Sequence, residues 1–544
     1  MNTRLSRIAA MAAACTVMMS AMCSCGAESG NTDGGTYKKD EHRNNNSIVH
    51  DEAPAECTQS YDYDESYYER PTQASKNESY KEYFEEGFKD PKAEPLSTFS
   101  ADVDTASYSN IRRLIEDGTI VPEDAVRAEE FINYFDYDYP DPEEGRIFGD
   151  YVELADCPWN PANKLMMIGI QGKRMPKEET PPSNIVFLID SSGSMSSYNK
   201  LPLVQTAFSM LAENLTSNDR ISIVTYAGHS DTLITGVKGN EKDTILDALY
   251  SITASGGTNG EGGIEQAYKL AEKYFIDGGN NRVILATDGD LNIGASSEKE
   301  LVKLIESKRD MGIYLSVLGF GTGNYKDDKL EALADNGNGN YSYIDSVDEA
   351  HRVLVQEMAG TLYTIAKDVK IQVEFNPSQI NSYRLIGYDN RLMNAEDFYD
   401  TTKDAGEVGA GHSVTALYEV QLADTGETYR GVQLEFGSEH TAEPVADNGR
   451  SELCKLSVTY KSVEENNRDI LESQLFGMEK YNAEPSESIR LASAAAEFAM
   501  LLRNSEFKGN SSYDYVAGTA ASLESSDKTD ELVFLAKLAK NLYD

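Results

Sequence analysis

From about residue 184 the chain alternates short, wholly apolar runs with amphipathic stretches of helical period, and that alternation narrows the possible folds more than any other feature. Ile185-Val186-Phe187-Leu188-Ile189 is apolar at every position, as a central parallel strand covered on both faces must be. The stretch 201–215 carries Leu203, Ala207 and Leu211 at the spacing of one buried helix face. A strand over 220–226, helices over 241–252 and 263–274 and a buried strand at 283–286 follow. A helix over 297–310, a strand over 314–319, a helix over 326–334, a strand over 341–344 and a helix over 347–362 complete the series. The order predicts an α/β domain over 182–365: a doubly wound, mostly parallel sheet with helices on both sides.

The flanks read differently. After residue 366 the period becomes two: Val369-Lys370-Ile371-Gln372-Val373-Glu374-Phe375 alternates as a half-exposed antiparallel strand does. Further strands are expected at 383–388, 413–422, 429–436 and 453–460, giving a β-rich region over 366–465. The segment 93–181 is expected to hold helices over 106–116 and 123–135 and extended pieces at 151–155 and 164–171. Strands on both sides of the α/β unit suggest that it is inserted into, or clasped by, one sandwich-like β-rich domain. Residues 466–544 read as a helical end with helices over 483–504 and 529–542, and Leu491, Ala494, Ala495, Phe498, Leu501 and Leu502 form an apolar stripe suited to a packed core.

The N-terminus has Arg4 and Arg7 before an apolar stretch that ends in Met22-Cys23-Ser24-Cys25-Gly26. It reads as a secretory signal over 1–25, with Cys25 the better candidate for lipidation and Cys23 the alternative. No other stretch approaches the ~20 apolar residues of a membrane helix. Residues 26–92 are rich in acidic residues and tyrosine and poor in aliphatics, so they are expected to form a disordered acidic tether. The chain has 32 tyrosines, and those before residue 140 are not expected to be core. A net charge of −42 repels phosphate backbones, which argues against nucleic acid as a partner. Cys157 and Cys454 either pair or sit as two small buried thiols.

Loops at the carboxyl ends of the parallel strands supply oxygen ligands. One strand runs into Asp190-Ser191-Ser192-Gly193-Ser194, a later loop holds Gly256-Gly257-Thr258-Asn259-Gly260, and another strand ends in Thr287-Asp288-Gly289-Asp290. In a parallel α/β sheet these loops converge at one edge. Asp190, Ser192, Ser194, Thr258 and Asp288 offer two carboxylates and three hydroxyls, hard donors suited to Mg²⁺, with Mn²⁺ or Ca²⁺ as alternatives, and unsuited to zinc. Two carboxylates just balance a divalent ion. An octahedral ion with ~2.1 Å bonds keeps an open position for a carboxylate from a partner.

These three fragments, in this order, resemble the metal-ion-dependent adhesion site of von Willebrand factor type A domains, which are Rossmann-like. The resemblance implies that Ser192, Ser194 and Thr258 coordinate through their hydroxyls, and Asp190 and Asp288 directly or through water. It also implies that the last helix, over 347–362, shifts when the metal gains an acidic ligand. Ser97-Thr98-Phe99-Ser100-Ala101-Asp102-Val103-Asp104-Thr105-Ala106-Ser107-Tyr108 is similar to the N-terminal region of the YfbK-like bacterial lipoproteins. So are 368–377 and 383–388 to later parts of that family. The likeness spans about 95–542 and implies display at the outer face of the cytoplasmic membrane or in the periplasm.

Enzymatic readings find little support. The six histidines, His42, His50, His229, His351, His412 and His440, form no HExxH pattern, and no GxSxG elbow or Walker loop is present. Gly319-Phe320-Gly321-Thr322-Gly323 lacks dinucleotide spacing and reads as a strand-to-helix turn. The expected function is cation-dependent protein binding, for adhesion or assembly. The alternatives are an envelope scaffold with a purely stabilising ion, or a metal-dependent hydrolase.

Overall fold

The structure, a computed structural model, describes residues 72–73 and 78–543 apart from 83, 102–103, 177–178, 259, 290–294, 324, 358–359, 361, 404, 424–450 and 466. The expected signal, Cys25, the tether as far as residue 71 and the strand expected at 429–436 lie outside the described residues.

The described body begins with strand β1 (Leu96–Ser100), helices α1 (Ala106–Glu116) and α2 (Ala128–Asn133), and the paired strands β2 (Phe148–Asp156) and β3 (Lys164–Gly172). The α/β unit follows: β4 (Ser183–Asp190), α3 (Leu201–Asn214), β5 (Arg220–Tyr226), β6 (Ser230–Lys238), α4 (Lys242–Tyr250), α5 (Gly260–Lys273) and β7 (Asn280–Thr287). It ends with α6 (Ala295–Arg309), β8 (Ile313–Phe320), α7 (Asp327–Asn336), β9 (Tyr341–Ile344) and the short α8 (Val347–His351). Its sheet runs β9-β8-β7-β4-β5-β6, parallel except for β6. The apolar run of β4 divides between two cores, as a strand covered on both faces must. Ile185, Phe187 and Ile189 pack with Phe208 and Leu211 of α3, and Val186 and Leu188 with Ile264 and Ala267 of α5. Each of the Val, Leu, Ile and Phe side chains among these, fully buried, contributes about 1.5–3 kcal/mol.

Beyond the α/β unit come β10 (Thr364–Phe375), β11 (Ile380–Leu385), β12 (Ser413–Leu422), β13 (Glu452–Ser462), β14 (Arg468–Gly477), α9 (Glu487–Leu502), α10 (Tyr513–Ala521) and α11 (Asp527–Tyr543). They join the N-terminal strands in two antiparallel sheets. One places β1 between Leu392–Met393 and β10, then continues through β13 to β14; the other runs β11-β12-β3-β2. The α/β unit is thus inserted into a frame built from both flanks. The two-residue period has its expected consequence. Met166, Ile168 and Ile170 of β3 face a core shared with Val373, Phe375 and Leu456, while Leu165 and Met167 face a second core with Phe498 of α9.

Several expectations need correction. The β-rich part does not stop at 465, because β14 pairs along its length with β13. The single helix over 347–362 ends at His351 and passes into a π-helical turn, Arg352–Gln356. The tether does not extend to residue 92: Ser79 N donates to the Tyr325 carbonyl at 3.1 Å, and Lys89 and Tyr383 exchange backbone hydrogen bonds. Nor do the early tyrosines stay outside the core. Tyr108, Tyr134, Tyr137 and Tyr139 are buried, with Tyr108 stacked on Tyr134. A phenol can be buried once its hydroxyl finds a partner, as that of Tyr139 does on Thr415 Oγ1 at 2.7 Å. Cys157 and Cys454 are free and buried in different cores, which leaves the unpaired reading.

Candidate metal centre

The strand order reverses between β4 and β7: β4 leads through α3 to β5 on one side, and β7 lies on the other. Ligands bind in such crevices, beyond the carboxyl ends of the strands. Asp190 is the last residue of β4 and is fully buried. Its Oδ1 accepts from the Ser192 backbone N–H at 2.9 Å, and its Oδ2 accepts from Thr287 Oγ1 at 3.2 Å, so the ends of both central strands hold it. Burial pushes its carboxyl up to about 6, against the hydrogen bonds from Ser192, and the neighbouring negative charge of Asp288 adds to the rise.

Ser192 is buried and Ser194 exposed, their hydroxyls 3.0 Å apart. The loop that carries Thr258 is fastened to this segment by two backbone bonds, Gly193 N to Gly256 O at 3.1 Å and Ser255 N to Ser191 O at 2.8 Å. Thr258 itself is half-buried, and among the described residues no hydrogen bond joins its side chain to the other four. After Asp288 the chain turns at Gly289, whose φ of +99° favours glycine; its N–H donates to Thr287 Oγ1 at 3.2 Å.

Asp288 is 2% exposed. Its Oδ2 accepts from Lys200 Nζ at 2.9 Å, while its Oδ1 has no hydrogen-bond partner among the described residues. A buried carboxylate oxygen left bare costs free energy unless something cationic or a donor meets it. The donor set fits a hard divalent ion: Asp190, Ser192, Ser194, Thr258 and Asp288 supply oxygen alone, and Asp288 holds one oxygen in reserve. Among the described residues no group of three or more His, Cys, Asp or Glu side chains is placed to hold a metal ion, and the donors gathered here include hydroxyls as well as carboxylates. Lys200 escaped the sequence reading. The available signal was a lysine at the N-terminus of α3, where the helix dipole disfavours a cation unless an anion holds it there.

The reversal of strand order, with carboxylate and hydroxyl loops on both sides of it, defines a von Willebrand factor type A domain protein. The family model described as von Willebrand factor type A domain matches 184–357, one described as von Willebrand factor matches 74–167, and one described as Uncharacterized protein YfbK, C-terminal, matches 360–542. The chain belongs to the YfbK family: it is 39% identical over 475 residues to Uncharacterized protein YfbK of Escherichia coli (strain K12), covering 86% of this chain and 81% of that one. It is also 28% identical over 196 residues to inter-alpha-trypsin inhibitor heavy chain H4 of Bos taurus, over 34% of this chain and 21% of that one. Among solved structures it is similar to a von Willebrand factor type A protein from Catenulispora acidiphila, at 13% identity and a TM-score of 0.41, covering 73% of this chain and 91% of that one.

Proposed function

We propose that this chain is a divalent-cation-dependent protein-binding module, for adhesion or assembly, displayed on the bacterial envelope as a lipoprotein anchored through Cys25. Mg²⁺ is the expected ion. Asp190, Ser192, Ser194, Thr258 and Asp288 would hold it, and when bound it would supply an electrophile for an acidic side chain of the partner. This chain's part is to present those oxygens at the sheet edge and to keep them fixed before the partner arrives. The observation that carries the reading is the bare, buried Oδ1 of Asp288 beside the hydrogen-bonded group of Asp190, Ser192 and Ser194. The membership of 184–357 in a class that typically mediates protein–protein interaction supports the partner's being a protein.

Manganese binding tests it directly. The purified chain, titrated with Mn²⁺ and followed by electron paramagnetic resonance, is expected to bind one ion, and Asp190→Ala and Asp288→Ala are expected to abolish that binding. Undiminished binding in both variants would overturn the assignment. Capture of protein from the native envelope in Mg²⁺, repeated with chelator, then tests the partner role.

A further inference from the structure

Lys200 does not belong to the oxygen set, yet it occupies the site. Its side chain is 10% exposed, and its ammonium sits 2.9 Å from Asp288 Oδ2. Its stem crosses the backbone of Gly321, where φ is +73°. A Cβ at Gly321 would come within 2.3–2.8 Å of Lys200 Cε, Cγ and Cδ, so the absence of a side chain there makes the passage. Lys200 is thereby packed along its length and directed at one oxygen of Asp288, while the other oxygen has no hydrogen-bond partner among the described residues.

The charge count gives this arrangement a consequence. Asp190 and Asp288 alone would neutralise a dipositive ion. With the Lys200 ammonium in place the loaded site carries one unit of positive charge in excess, in a buried setting where that surplus is weakly screened. A ligand bearing one negative charge removes it; a neutral ligand or water does not.

We propose that Lys200 is the specificity-determining residue of this centre, a resident cation that weakens capture of the bare metal ion and makes tight capture depend on an anionic ligand of the carboxylate class. This rests on the metal-binding reading above and deepens it. The metal and its acidic partner are then bound cooperatively, because each offsets a charge imbalance that the other leaves.

The test uses the full chain, Mn²⁺ as the ion and acetate as the anion, with affinity read by calorimetry. Wild type is expected to bind Mn²⁺ weakly and to gain affinity in saturating acetate. Lys200→Met is expected to bind Mn²⁺ about tenfold more tightly without acetate and to lose most of the acetate response. Lys200→Gln keeps a donor on Asp288 without the charge and is expected to behave likewise, which separates charge from positioning and covers the case in which the methionine variant does not fold. Affinity unchanged or weaker in the Lys200 variants, or an acetate response equal to wild type, overturns the proposal. Asp190→Ala keeps the two readings apart. If it binds Mn²⁺ as wild type does, the site itself is misplaced; if it loses the ion while the Lys200 variants match wild type, the role of Lys200 alone falls.

Discussion

Two regions of this molecule bury carboxylates, and they treat them oppositely. Where the frame meets the α/β unit, buried acids are matched by guanidinium groups. Arg112 of α1 binds Asp345 through two nitrogens and also reaches Glu349 at 3.0 Å and Glu531 of α11 at 3.0 Å, while Arg352 holds Glu349 from the other side. Burial pushes the Glu349 carboxyl up, but Arg352 and Arg112 outweigh it and hold it down at about 2. Arg127 likewise takes Asp327 at 2.8 Å and Glu331 at 2.9 Å. At the sheet edge, by contrast, Asp288 meets one lysine and Asp190 is held by hydrogen bonds from Ser192 and Thr287, while Oδ1 of Asp288 has no partner among the described residues. Matched charge fastens the α/β unit to its surroundings; unmatched charge leaves something for an incoming ion to do. The same residue type therefore serves fastening in one place and, in the function proposed above, recognition in the other, according to how completely it is answered.

The comparison breaks most visibly at Arg112. Arg112→Ala leaves Asp345 and Glu349 buried with one fewer cation between them, and the unfolding free energy from urea titration is expected to fall by about 3–5 kcal/mol. A loss under about 1 kcal/mol would mean that the matched cluster fastens nothing. It would also free α8, because Glu349 joins that helix to Arg112 and Tyr134 of the N-terminal flank, and would bear on the helix shift that the family resemblance implies.

A smaller effect is expected at Glu497 of α9, a buried acid of the frame with no guanidinium against it. Its Oε2 accepts from Ser511 Oγ at 2.9 Å, its Oε1 has no partner among the described residues, and burial pushes its carboxyl from 4.5 up to about 7. The folded state therefore holds a proton that the unfolded state releases. The stability this carries is full below about pH 4.5 and is lost as the pH rises through about 7. Glu497→Gln is expected to remove about 2–3 kcal/mol of that decline, read by thermal or urea unfolding between pH 4 and pH 8. Identical pH profiles for variant and wild type would show that Glu497 is answered after all.

The smallest effect on stability is expected at the proposed metal centre. Ser194 is exposed, so Ser194→Ala should change the unfolding free energy by less than about 0.5 kcal/mol while weakening Mn²⁺ binding. Loss of stability without loss of ion affinity would place Ser194 among the fastening residues.

Much of this was legible because burial on both sides leaves an unmistakable run of residues. Ile185–Ile189 and Val283–Ala286 announce central strands, and the loops that follow them carry Asp190 and Asp288 to adjacent strand ends. What escaped notice lacks that pressure. β6 is an edge strand with most of its residues exposed or half-exposed, and β14 is another, so neither shows clean alternation. α10 was missed because its short stretch contains Gly518 and Thr519 and buries just Val516, Ala517 and Ala520. Tyr108 and Tyr134 were misread because composition cannot show which hydroxyls find partners. Lys200 shows a local anomaly, a cation at a helix N-terminus, but its partner Asp288 lies far off in sequence, and nothing local names that pairing.

The interleaving of the flanks also sets an order of events during synthesis. Among the described residues β1 pairs with β10 and with Leu392–Met393, both of which lie beyond the whole α/β unit. An emerging chain must therefore carry β1 with its edges unsatisfied until residues past 364 have left the ribosome. The α/β unit, whose six strands pair among themselves, can fold in the meantime. The frame closes last, around an α/β unit already finished, and any delay in that unit prolongs the time in which an unpaired strand is open to aggregation.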